Sequence, residues 1–593
     1  MAQFRKMVVT DKGNDLISKI MGGLGVAKFT RFALSSTVYT DAQIPALTSI
    51  TGVQQTAPVS RTVKESAAKV KLEGAVTNEN VATAYNLNTI AVYANDPDLG
   101  EILYAVAGAD VAGYVPAYNG VTVSGVYISV TTTVSNADNV DLTIDPAAVA
   151  TIGDVENLQE QISELQAFVG YTDSDIYGVE VDLENKKFTR LAAAVGLTPG
   201  ANFDSVKPFG GRRRCIVTDG GVVLAYYGET GYTETGALTT AITKDGVTYS
   251  VGTAVQVMVE QPQFYYKVVP LKTEKISGGN GYHMRKGRYF VSATPKAGFK
   301  LHPLFKYNGA ENDVVYLSAY EGCLYDVSAS AYILNDSQVA DFSNDKLSSI
   351  ANAKPISGLS QNLTRGNARK LAQKRGTGWE QQTIQAASCS ELLMMIEYAG
   401  CNMQTAIGRG NVDKTDDGSS NMAEITGATS YLGNATGAVT NSNGINIVTY
   451  RGEENLWGNI WKFIDGANIE AKGIHKLYVA DHGFADDSSA SPYQDTGITL
   501  AKANGYVSAF GYNQDFDWLL ITSEVDGNSA DSALPVGDYF WQNNTYNGFT
   551  IALLGALWAD GGHSGPFCWR VAYASSTRDR RLGARAVYFP KTA

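Results

Sequence analysis

Three sets of residues in this 593-residue sequence have the types that site chemistry needs. The five cysteines, Cys215, Cys323, Cys389, Cys401 and Cys568, are far apart, odd in number and without a CxxC. That spacing argues against a zinc ribbon or disulfide framework and suits folding in a reducing cytoplasm. The five histidines, His283, His302, His475, His482 and His563, show neither HExxH nor HxH spacing. A metal-hydrolase helix is therefore not indicated, and no GxSxG elbow, P-loop or GxGxxG occurs in a strand–helix context. The third set is acidic. Asp413, Thr415, Asp417, Gly418 and Glu424 fall at positions 1, 3, 5, 6 and 12 of a calcium-loop pattern, though no helical pattern flanks it. The stretch is read as a solvated acidic loop and no metal is assigned, with Asp413, Asp417 and Glu424 as candidate cation ligands in the alternative. No cofactor is assigned, and the chain is expected not to be an enzyme.

The densest pattern lies near the C-terminus, where Leu554 to Tyr588 read LLGALWADGGHSGPFCWRVAYASSTRDRRLGARAVY. A frame of Gly, Pro, Phe, Ser, Arg and Trp is interleaved with positions that share no chemistry. Catalysis needs a few defined groups in one geometry. A fixed frame with assorted insertions is what a recognition surface needs.

The elements that must position this stretch follow from composition. The length exceeds what one hydrophobic core supports, so two to four domains are expected. Sixty glycines, 33 tyrosines and few long charged runs point to strands and turns. A net charge of -12 argues against a nucleic-acid partner. The run Arg212, Arg213, Arg214 is read as ion-pair donors within the fold. The N-terminus has no apolar signal core and no stretch of 18 apolar residues occurs, so neither signal-directed secretion nor membrane insertion is expected.

Thr10 or Asp11 can cap a first helix with Leu16, Ile17, Ile20 and Met21 as its apolar stripe, stopped by Gly22 and Gly23. Strands are predicted over Phe29 to Ser35, around Val126, Ile128 and Val130, and around Val140, Leu142 and Ile144. Four segments in order, VVTDKGNDLISKIMGG, FTRFALSS, YANDPDLGEILYAVAG and VSNADNVDLTIDP, resemble the N-terminal domain of phage tail-collar fibre proteins. The resemblance covers about residues 5 to 150 and implies a domain, 1–150, that docks to a tail baseplate. Val155, Leu158, Ile162, Leu165 and Val169 then follow at 3, 4, 3, 4 spacing, an a/d seam. Residues 151–172 are read as a short trimeric coiled-coil linker, or alternatively as an amphipathic helix packed within one subunit.

Residues 173–593 continue as strand-like blocks around one helical block at 379 to 399. There Ser388 and Glu391 have capping-box spacing, and Leu392, Leu393, Ile396, Tyr398 and Ala399 supply the buried face. Trp457 and Trp461 are expected to pack in the core, and Asn455, Asn459 and Asp465 to bond local backbone. With ENLWGNIWKFIDG and GARAVY as its most specific pieces, this part resembles a C-type-lectin fold of the formylglycine-generating-enzyme-like branch, as in phage tropism determinants. The fold class is thus α+β and β-rich, multidomain. That branch's enzymes use two cysteines close together near the C-terminus, where this chain has Cys568 alone.

In relatives whose tail is diversified by a retroelement, the template shares this chain's Gly555, Trp558, Gly561, Gly565, Pro566, Phe567, Trp569, Ser575, Ser576, Arg578, Arg580, Gly583 and Arg585. Its Asn positions fall on Leu557, Ala559, Asp560, His563, Arg570, Ala572, Tyr573, Thr577, Asp579 and Arg581, and its Tyr falls on Cys568. None of those ten Asn-derived positions holds Lys, Glu, Gln, Met or Trp, as mutagenesis confined to adenines requires. The resemblance implies that these eleven side chains form one exposed receptor-binding patch within 537–588, with Trp558 and Trp569 as its frame. It further implies a homotrimeric fibre in the virion tail that binds a host cell-surface receptor, protein or glycan. An undiversified fibre tip of a tailocin and a surface-glycan-modifying enzyme are the alternatives.

Overall fold

The computed structural model describes residues 3–24, 28–66, 69–118, 125–133, 170–359, 362–527 and 536–592. The chain divides into two compact units, Met1–Ile162 and Ser163–Ala593. The predicted heptad and the strand around Val140, Leu142 and Ile144 lie outside the described residues.

The first unit opens with α1 (Asp11–Met21), whose first turn is closed by Thr10 Oγ1 accepting from Gly13 N–H. Leu16 and Ile20 are buried, but Met21 is 68% exposed, because Gly22 ends the helix before that last turn meets the core. Next come β1 (Lys28–Ser35), β2 (Val53–Pro58), β3 (Lys69–Thr77), β4 (Tyr85–Asp96), β5 (Gly100–Val115) and β6 (Gly125–Thr133). One sheet runs β5-β4-β1-β2; in a second, β3 pairs β6 antiparallel. Leu16, Phe29, Phe32, Leu72 and Tyr104 share one core.

The second unit is β-rich. Its main sheet takes strands from far apart in sequence: β7 (Ile176–Asp182), β8 (Tyr282–Ser292), β9 (Trp461–Glu470), β10 (Gly505–Tyr512), β11 (Tyr539–Gln542), β12 (Phe549–Leu554) and β13 (Trp569–Tyr573). Their spatial order is β7-β8-β10-β11-β13-β12-β9. All these neighbours are antiparallel except β11 and β13, which run parallel with Trp541 beside Arg570. A second sheet holds β14 (Ala586–Tyr588) between Val314–Ser318 and Trp379–Gln381. Arg585, buried just before β14, donates to the Glu454 and Ser318 carbonyls.

Helix α2 (Ile384–Tyr398) corrects the predicted start. Thr383 is the cap, accepting from Ala386 N–H, while Ser388 sits inside the helix and donates to the Trp518 carbonyl. Every residue from Ile384 to Glu397 is buried, so the helix has no wet face and no amphipathic period to mark its ends. Trp457 and Trp461 are fully buried, as expected. Asn455 and Asn459 differ from expectation: both donate to Glu321, far off in sequence, where Lys462 also pairs at 3.2 Å. They stand at left-handed φ of +54° and +65°, so the Gly-rich turn is held by a buried polar knot. The arginine run behaves as read, Arg212, Arg213 and Arg214 pairing with Glu453, Glu260 and Glu234. All five cysteines are free and buried. No helix among the described residues is long and apolar enough to cross a membrane.

Candidate functional site

The tail between β12 and β14 rests on a buried frame. Trp558 and Trp569 are 0% and 1% exposed. Gly555 has φ +92°, and a Cβ there would lie 2.4 Å from the Leu456 carbonyl oxygen, so the position requires glycine. Arg580 clamps the neighbouring loop: it pairs with Asp416 at 2.6 Å, donates to the Ser420 carbonyl at 2.6 Å and lies over the Trp558 ring.

Side-chain alternation along two strands builds a face on this frame. On β11, Phe540 and Gln542 point into the core while Tyr539 and Trp541 are half-exposed. On β13, Trp569 and Val571 are buried while Arg570, Ala572 and Tyr573 are half-exposed. The Arg570 guanidinium stands 4.4 Å from the Tyr573 ring centroid, 5.3 Å from Trp541 and 6.0 Å from Trp461. The short turn Gly561–His563 brings His563 within 4.5 Å of Tyr539 and 5.5 Å of Trp541, ring to ring. Burial lowers the His563 pKa, so its ring stays neutral at pH 7.

Asp560 joins the two ends of the patch. Burial pushes its pKa up, against the pull of the Leu557 N–H it accepts at 3.0 Å, of Arg570 and Arg581, and of the Trp461 indole. Arg581 makes a two-pronged pair with Asp579 at 2.8 Å per bond, and its carbonyl accepts from Trp461 N–H. Thr577 sits in the turn between, its N–H bonded to the Ala574 carbonyl. Ala559 is half-exposed and, like Trp541 and Tyr573, packs against the core cluster that holds Trp558.

Two expected members of an exposed patch are not exposed. Leu557 is 5% and Cys568 0% accessible, both packed with Trp558, Trp461 and Leu582. Cys568 immediately precedes β13, where its carbonyl accepts from Gly555 N–H, and the side chain there faces inward. Burial pushes its thiol pKa well up, which keeps it protonated and a poor nucleophile. The other nine positions, Ala559, Asp560, His563, Arg570, Ala572, Tyr573, Thr577, Asp579 and Arg581, are all half-exposed.

The carboxylates of the acidic loop are engaged within the fold. Asp413 pairs with Arg409 at 2.9 Å; Asp417 caps the Ser419 and Ser420 N–H groups and faces Arg580. Glu424 is taken by Lys414, Asn441 and Asn443. Each carboxylate serves a different partner, and no group of three ligating side chains able to hold a metal occurs among the described residues.

Tyr539, Trp541 and Tyr506 were not singled out by the sequence pattern, though they floor the patch; Tyr506 lies 4.9 Å from Tyr539. The available signal was the alternation Tyr-Phe-Trp-Gln just upstream of the tail.

Comparison with known proteins places no family on this chain. No protein-family profile matches it, and no curated protein does. Two solved structures are similar at low level. A "Major Tropism Determinant P3c Variant" has a TM-score of 0.24 at 12% identity, over 66% of this chain and 73% of that one. A "Major Tropism Determinant U1 Variant" has a TM-score of 0.22 at 11% identity, over 77% and 93%.

The remaining contrast is electrostatic. The described arginines other than Arg570 and Arg578 each donate to a carboxylate or carbonyl. Among the described residues, Arg570 has no hydrogen-bond or ion-pair partner, and its Nε is buried without an acceptor. Both exceptions lie in the tail.

Proposed function

We propose that this chain is a tail fibre or tail-borne receptor-binding protein of a phage or phage-like particle, and not an enzyme. In this reading the first unit docks to the baseplate, the heptad at 155–169 joins three copies, and the tail face binds the host surface. The observation that carries it is the division of labour in 555–585. Of the shared frame, Trp558, Phe567, Trp569 and Arg585 are buried and Arg580 is clamped, with Ser576 and Arg578 exposed, while nine assorted side chains lie half-exposed on the same stretch. Such positions can vary at little cost to stability, about 0.5 kcal/mol or less for most surface changes. Three copies per fibre and several fibres per particle would turn weak single-site affinity into avidity.

Excising 555–581 would not test this, because it removes Trp558, Trp569 and strand β13 from the core. The informative variant replaces Asp560, His563, Arg570, Tyr573, Thr577, Asp579 and Arg581 with serine and keeps the frame. We expect unchanged melting and particle assembly with loss of adsorption to susceptible cells. Full adsorption by this variant would remove the face from receptor binding. Whether a retroelement diversifies the tail is decided by neighbouring DNA: a near-copy of the tail-coding stretch beside a reverse transcriptase gene.

A further inference from the structure

We propose that the tail face binds an acidic sugar, with Arg570 receiving its carboxylate and the rings around it receiving the pyranose. This rests on the receptor-binding reading of the same face and adds the ligand's chemistry.

Arg570 has no hydrogen-bond or salt-bridge partner among the described residues, and Asp560 acts on it through charge alone. A guanidinium taken partly out of water costs solvation free energy that an acceptor ordinarily returns. The buried arginines Arg212, Arg214, Arg365 and Arg585 each donate to a carboxylate or carbonyl, although Arg212 keeps its own Nε and Nη1 enclosed without a partner. Arg570 instead has its Nε sealed off and three aromatic rings within 6.0 Å. The three rings lie within cation–π range of the guanidinium, and no described side chain accepts from it. With Nε enclosed, the Nη edge is the accessible end. Two N–H donors in a fixed plane match the two oxygens of a carboxylate, and holding them in advance reduces the ordering cost of binding.

The neighbouring carboxyl groups do not fill this role. Asp579 is committed to Arg581 through both oxygens, and Asp560 is held by the Leu557 N–H and is disfavoured as an anion by burial. Arg578, exposed and also without a partner, adds a second positive charge to the same tail.

The surroundings favour a sugar over a protein knob. No large aliphatic side chain is exposed among the described residues of 537–588. Apart from alanines, the half-exposed apolar side chains of the face are rings, Tyr539, Trp541 and Tyr573, with His563 against Tyr539 and Trp541. Flat rings offer area to the C–H face of a pyranose while their edges and polar tips stay wet. Arg581, paired with Asp579, interacts with Tyr573 and offers hydrogen-bonding groups suited to hydroxyls.

The test uses the full chain and a panel of oligosaccharides containing glucuronic, galacturonic or sialic acid. Each is measured beside its carboxyl-reduced form and beside a hexaglutamate peptide, by glycan array and then calorimetry. We expect at least one acidic member to bind about tenfold or more tighter than its reduced form. Arg570→Ala should abolish that preference and Arg570→Lys should restore part of it, with melting unchanged in both. Equal binding of acidic and reduced sugars, no binding across the panel, tighter binding of hexaglutamate, or an unchanged preference in Arg570→Ala would each overturn the ligand class. Cell adsorption by the parent protein is read separately. If cells are bound but no acidic preference exists, the ligand class fails alone. If cells are not bound at all, the receptor-binding reading fails.

Discussion

Gly565→Ala tests the claim that the tail's frame is fixed by packing. A Cβ on Gly565 would stand 2.1 Å from Asp538 Oδ1 and 2.2 Å from its Cγ. Asp538 is fully enclosed, and its other oxygen accepts from Phe567 N–H at 2.7 Å, two residues along the same tail. The methyl group must therefore displace a buried carboxyl and the bond it makes. Overpacking costs roughly 1–3 kcal/mol, and losing a buried bond to an acid about 1–2 kcal/mol more. A total near 3 kcal/mol acts on the unit Ser163–Ala593. Unfolding entropies of about 2.1 cal/mol/K per residue give roughly 0.9 kcal/mol/K for that length, so the melting temperature should fall about 3 °C. Scanning calorimetry of the parent, Gly565→Ala, Asp538→Gly and the double variant reads this directly. The double variant should cost about 1 kcal/mol less than the sum of the singles, because the clash needs both groups. An unshifted melting temperature in Gly565→Ala, or strict additivity, would refute the reasoning.

Two further outcomes follow from the same frame. Glu391 is enclosed in α2, and burial, aided by the charge of Asp538 and against the pull of the Trp569 indole, raises its pKa well above the carboxylate range. A carboxyl raised on folding contributes stability fully below its unfolded pKa of about 4.3 and loses it as pH rises toward the folded value. Glu391→Gln should thus flatten the decline of melting temperature between pH 5 and pH 8 (about one unit above the unfolded pKa and beyond); parallel profiles would contradict the assignment. Arg580→Ala should lower stability by about 1–2 kcal/mol, since it removes the clamp on Asp416, the Ser420 carbonyl and Trp558. Arg581→Ala, whose carboxylate partner Asp579 is only two residues away, should stay within about 0.5 kcal/mol. Equal melting shifts for the two arginines would contradict the separation of frame from face.

Local signals carried well and non-local ones did not. Thr10, Leu16, Ile20 and Gly22 contain both ends and the inner stripe of α1 within one short stretch, so that helix was legible. The start of α2 was not, because burial on every side erases the 3.6-residue period and leaves Ser388–Glu391 as a false cap. The frame residues Trp558 and Trp569 were legible as a pattern. The inward turn of Leu557 and Cys568 was not, since it depends on how β13 is seated between β12 and β11, and register has no local signature in an assorted sequence. Tyr539 and Trp541 were missed for the same reason: their face acquires meaning only from Arg570, some thirty positions downstream, which the parallel pairing places alongside. The carboxylates Asp413, Asp417 and Glu424 had correct spacing for calcium but turn to three different partners, which spacing alone does not reveal.

Strand β14 lies downstream of every assorted position, yet it is an interior strand, hydrogen-bonded on both sides. A frameshift or stop codon anywhere from 557 to 581 therefore removes more than the face. It deletes the strand that joins Val314–Ser318 to Trp379–Gln381 and the buried Arg585 before it. On the ribosome, the unit cannot close until those last residues have emerged. Any change that breaks the reading frame in this stretch thus costs the closure of the unit Ser163–Ala593 and not the face alone, whereas a change that keeps the frame leaves the closing strand in place.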